Sequence, residues 1–124
     1  GIIQPEWLAE MADDAIVFAM ANPTPEVMPE LMPDNVAVIA TGRSDYPHQI
    51  HNVLAFPGVF RGMHDGQATR CTIEMKRSAA DALADLVSEP TPERIIPGAF
   101  EPGVADGVAR AVRDEARAQG HVRS

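Results

Sequence analysis

"IVFAMANPTPEVMPELMPDNVAVIATGRSDYPHQIHN", residues 16–52, contains two continuous apolar runs, 16–21 and 36–40, and each ends abruptly in polar residues. A short, unbroken apolar run bounded by turn formers reads as a strand buried on both faces, the pattern of a parallel sheet. Asn22-Pro23-Thr24-Pro25 stops the first run, and residues 26–32 have room for a short helical turn before the second. Two such strands with so short a connection suit a parallel pair with a compact crossover. Ligands of open parallel sheets bind just beyond the carboxyl ends of the strands. Those ends carry Asn22 after the first run and the polar segment 41–52, beginning at Thr41, after the second.

Outward from this stretch the periodicity becomes helical. Pro5 suits a first helical turn, where its missing N–H costs nothing, and Leu8, Met11 and Ala12 follow at helical spacing until Asp13-Asp14. Residues 52–61 are apolar but interrupted by Pro57-Gly58, which predicts a kinked or split helix. Met75, Ala79, Leu83 and Leu86 form one stripe within 73–87, and Val104, Val108, Val112 and Ala116 form a second. Residues 88–103 hold four prolines and predict an extended surface connection. Gly58, Gly62 and Gly66 recur every four residues, which permits close helix contact. Trp7 and the six methionines read as core or lid residues.

Composition narrows the function. With 45% hydrophobic and 23% charged residues in 124, the chain is expected to form one modest globular domain. A net charge of −8 argues against a nucleic-acid or anionic-membrane surface. No apolar run approaches the ~18 residues of a membrane span. The single Cys71 cannot form an internal disulfide, which points to a reducing cytoplasm. The start, GIIQPEWLAEMADD, has neither a basic region nor a long apolar stretch, so it is not read as a signal peptide. It lacks an initiator Met, and a piece of a longer chain is the expectation.

Several residues are candidates for chemistry. The Asn22 carboxamide can bond a ligand amide or carboxylate, or cap the turn at Pro23 and Pro25. Ser44 or Asp45 can cap a helix opened by Pro47, aiming free N–H groups at an anion, with Arg43 adding charge. Asn52 is a ligand contact or a packing group. His48 and His51 would share a helix face, and His64, Cys71 or Asp45 can be imagined completing a zinc site, but the spacings match no common zinc motif. A nucleophilic Cys71 has no obvious partner. Neither a Gly-rich dinucleotide fingerprint nor a phosphate loop is present.

"IVFAMANPTPEVMPE", "VIATGRSDYPHQIHNVLAFPGVFRG", "IEMKRSAADALADLV" and "IIPGAFEPGVADGVARAVRDEARAQG" occur in this order. Together they resemble the carboxyl-terminal part of bacterial malic enzymes, the NAD(P)-dependent oxidative decarboxylases of malate. The resemblance implies an α/β fold: the second half of a Rossmann-like parallel sheet over about 1–70, then carboxyl-terminal helices over about 71–124. It implies that Asn22 lies near the nicotinamide and substrate and that Asn52 contacts malate. His51 stands where the family has the first Asn of a pair, and His48 replaces a further family Asn, which accounts for their spacing without a metal. A protonated His51 can still hold a substrate carboxylate, although its size and charge differ from those of a carboxamide. The resemblance further implies NAD or NADP as cofactor, Mg²⁺ or Mn²⁺ held by residues upstream, malate and pyruvate as substrate and product, and a homodimer or larger assembly. It places the catalytic Tyr and Lys, the acidic metal ligands and the Gly-rich loop upstream. The chain is therefore expected to be inactive alone, with a truncated or divergent non-catalytic binding or assembly module as the rival.

Overall fold

The computed structural model describes residues 1–42, 50 and 52–123, with the backbone alone at Asn52. These fall into two compact units, residues 1–50 with 90–95, and residues 51–89 with 96–124.

The first unit contains helix α1 (Pro5–Ala9), strand β1 (Ala15–Ala19), a 3₁₀ turn (Pro29–Leu31) and strand β2 (Val36–Thr41). Pro5 does occupy the first turn of α1. The Asn35 carboxamide donates to the carbonyls of Leu8 and Met11 at 3.0 and 3.1 Å, tying the end of α1 to the start of β2. The strands pair in parallel, as expected, with Ile16 opposite Val38 and Ala19 opposite Thr41. Leu8, Val17, Ala19 and Val27 form the core, with Ile3, Met32, Val36 and Ile39 packed against it.

One expectation fails here. β1 is buried on one face, not two: Ala15, Val17 and Ala19 are covered, while Ile16 and Phe18 are 58% and 53% exposed. Met20, just beyond the strand, is 70% exposed. Burial on both faces needs an apolar layer on each side of the sheet, and the core cluster packs on the Val17 and Ala19 side. Trp7 is likewise not a core residue, being 60% exposed on the one-and-a-half turns of α1.

The second unit contains a 3₁₀ turn (Asn52–Leu54) and helices α2 (Phe56–Asp65), α3 (Ile73–Asp85) and α4 (Val104–Ala118). The 52–61 segment is split as expected, with Pro57 in the first turn of α2, where no backbone donor is lost. The Thr72 hydroxyl caps α3 by accepting from the Met75 N–H at 3.2 Å. The α4 stripe is buried as its spacing predicts, and Val108, Val112 and Ala116 close on Met75 and Ala79 of α3. Full burial of each such valine contributes about 2 kcal/mol.

α2 reaches the same core through its glycines. A Cβ at Gly58 would lie 2.6 Å from Cβ of Val108, and one at Gly62 would collide with the Ala109 carbonyl. The four-residue glycine spacing is therefore a close helix contact. The 88–103 connection is not simply extended. Thr91 and Arg94 exchange backbone hydrogen bonds, and the Gly98 N–H donates to the Glu101 carboxylate at 3.0 Å. Prolines fix φ but leave such tight turns open.

Candidate functional site at the strand ends

The parallel register brings the carboxyl ends of β1 and β2 side by side. Thr41 is buried there, and its carbonyl accepts from the Ile50 N–H at 2.8 Å. That bond holds Ile50 beside the end of β2. Arg43, Ser44, Asp45, His48 and His51 lie outside the described residues, as does the Asn52 side chain. The Asn52 backbone opens the 3₁₀ turn.

Beyond β1, Asn22 is exposed near the start of a proline-rich loop. Its carboxamide has no hydrogen-bond partner among the described residues, so it does not cap the turn made by Pro23 and Pro25. Pro25 and Val27 anchor the loop by burial. The Ala21 N–H donates to the Glu26 carboxylate at 3.0 Å. This bond, then the residue's own N–H, holds the Glu26 carboxyl below the usual range, against a small opposing effect of desolvation.

Sequence reasoning passed over Glu26. An acceptor directly after a turn with two prolines was the available signal, because such a turn is short of donors and must be closed by a side chain.

The other candidates belong to the helical unit. The His64 imidazole is 90% exposed, 3.5 Å from the Asp65 carboxylate. Cys71 is exposed just before the Thr72 cap. Among the described residues no group of three or more His, Cys, Asp or Glu is gathered as metal ligands. No described helix is long and apolar enough to cross a membrane. A shallow cleft lined by His64, Gln67, Arg117 and Arg123 also lies in this unit and includes no sequence-predicted substrate contact.

Known proteins share this arrangement. The family described as "Malic enzyme, NAD binding domain" matches residues 2–117. The bifunctional malic/malolactic enzyme of Bacillus subtilis is 48% identical over 126 residues, covering 99% of this chain and 31% of that protein. The NAD-dependent malic enzyme of Geobacillus stearothermophilus is 50% identical over 125 residues, covering 99% of this chain and 26% of that protein. The crystal structure of malic enzyme from Pyrococcus horikoshii superposes with a TM-score of 0.93 at 48% identity, over 100% of this chain and 29% of that one. The chain thus spans about a third or less of the proteins it matches. The paired parallel strands are part of the Rossmann-like domain of those enzymes, and with nearly every residue inside the matched region, the chain belongs to the malic enzyme NAD-binding domain family.

Proposed function

We propose that this chain serves as part of a malic enzyme, which converts malate to pyruvate and CO₂ with reduction of NAD or NADP, and that it supplies part of the nicotinamide and malate pocket. The observation that carries this reading is the exposed Asn22 carboxamide just beyond the carboxyl end of β1, without a hydrogen-bond partner among the described residues. A polar group in that position suits a ligand bound at the strand ends. Asn22 and Asn52 are assigned to malate through their carboxamides, which can donate to its carboxylates, and Asn22 also to the nicotinamide. His51 has the same assignment to malate in the protonated state.

When bound, the cofactor accepts the hydride from malate. This chain's residues bind and orient the substrate and contribute no proton donor or acceptor to the reaction. The divalent metal, Mg²⁺ or Mn²⁺, is assigned to residues elsewhere in the enzyme, and among the described residues of this chain no carboxylate cluster is gathered. The isolated chain is inactive, and in the complete enzyme it acts within a homodimer or larger assembly.

The test is NAD(P)H formation with malate and Mn²⁺. The pure 124-residue chain gives none, while a full-length enzyme carrying this segment turns over and loses malate affinity when Asn52 is replaced by Ala. A full-length enzyme without any turnover supports the rival reading, a non-catalytic binding or assembly module. His48 and His51, at positions where the resemblance implies Asn, are the specific reason to consider that rival.

A further inference from the structure

We propose that Glu26 is a positioning residue, whose carboxylate closes the 21–26 loop on the Ala21 N–H and so fixes the Asn22 carboxamide for malate. The proposal rests on the assignment of Asn22 to the substrate.

The loop between β1 and the Pro29–Leu31 turn has little means of closing itself. Pro23 and Pro25 carry no N–H, so neither can donate a turn-forming bond. Ala21 lies past the end of β1 and needs an acceptor for its N–H. Glu26 supplies one at 3.0 Å. Its own backbone is held from the opposite side, because its carbonyl accepts from the Ile3 N–H at 3.1 Å and the adjoining Pro25 and Val27 are buried. The carboxylate therefore reaches from a fixed point to the Met20–Ala21 peptide, one residue ahead of Asn22. The Asn22 side chain has no hydrogen bond of its own among the described residues, so the backbone that this closure holds is what sets where the carboxamide stands.

Charge makes the choice of a carboxylate informative. An anion close to a dicarboxylate substrate repels it unless its charge is absorbed. Two N–H groups, those of Ala21 and Glu26 itself, absorb it here and favour the ionised form. The loop needs an acceptor and not a charge, so Gln can replace Glu.

The experiment compares kcat and KM of Glu26→Ala, Glu26→Gln, Asn22→Ala and the Glu26→Ala/Asn22→Ala double variant in the full-length enzyme, with melting curves as a control for folding. Glu26→Ala is expected to lower kcat/KM for malate about tenfold, the scale of one lost hydrogen bond to substrate. Glu26→Gln retains near-normal kinetics, and the double variant loses little beyond Asn22→Ala alone. Multiplicative losses in the double variant overturn the proposal, as does a Glu26→Gln enzyme as impaired as Glu26→Ala. If Glu26→Ala fails to fold, the Gln variant and its KM for malate still decide. An Asn22→Ala enzyme with wild-type kinetics overturns the substrate assignment itself. An impaired Asn22→Ala beside a normal Glu26→Ala overturns the positioning role alone.

Discussion

A carboxamide that bonds a substrate carboxylate contributes about 1–3 kcal/mol of binding, more if a charge is left unpaired without it. Asn52→Ala in the full-length enzyme is accordingly expected to lower kcat/KM for malate by roughly 10- to 100-fold with little change in cofactor affinity, measured by steady-state kinetics. His51→Asn introduces the residue that the resemblance implies at this position and is expected to leave activity intact or raise it. An inactive His51→Asn enzyme would assign that imidazole a role of its own. Glu26 has a pH signature. Its folded pKa lies below the ordinary carboxylate value of 4.5, so the extra strength that the ionised carboxylate gives the bond from Ala21 is fully present above that value and is lost as pH falls through the lowered one, leaving the weaker bond to a neutral acceptor. The Ala21 amide resonance should follow that acid transition, and it should not move with pH in Glu26→Gln. Asn22 was legible in the sequence because it directly follows an apolar run. Glu26 was passed over, because the signal there, an acceptor directly after a turn with two prolines, does not say which peptide N–H it closes on.

The glycines of the helical unit look alike in sequence and differ in what surrounds them. At Gly62 an added methyl meets the Ala109 carbonyl and lies 2.8 Å from Cβ of Val112. Gly62→Ala is expected to destabilise by about 2 kcal/mol, overpacking outweighing the gain in helix propensity. Gly107, inside α4, has only a Leu86 methyl at 3.9 Å. Gly107→Ala is expected to stabilise by about 0.5–1 kcal/mol, and circular-dichroism melting of the two variants should move in opposite directions. The stripes of α3 and α4 were legible because the 3.6-residue period survives in the folded packing. α3 stops at Asp85, so Leu86 falls at its end and is partly exposed. The strands were legible in place and direction, but the coverage of β1 was not. An unbroken apolar run states that both faces avoid water and is silent on which chain segment covers each.

Ile16, Phe18 and Met20 together leave a large apolar surface on one side of the sheet. A two-stranded sheet with such a face is a poor independent folding unit. The isolated chain is expected to self-associate or to melt easily, and light scattering with a thermal scan tests this. A monomer melting cooperatively above about 65 °C, the upper end of the mesophile range, would refute the expectation. Within the helical unit, α2 and α3 each pack on α4 and scarcely on one another. The unit is clasped where Ala68 bridges Val122 and where the Thr69 N–H meets the His121 carbonyl at 2.9 Å. These pairings dictate an order of events during synthesis. While α4 is still inside the ribosome, the two earlier helices have no surface to settle on, and a nascent chain stalled before residue 104 should stay accessible to protease. Collapse should come in one late step, registered as a single pulling-force peak as Val122 clears the exit tunnel.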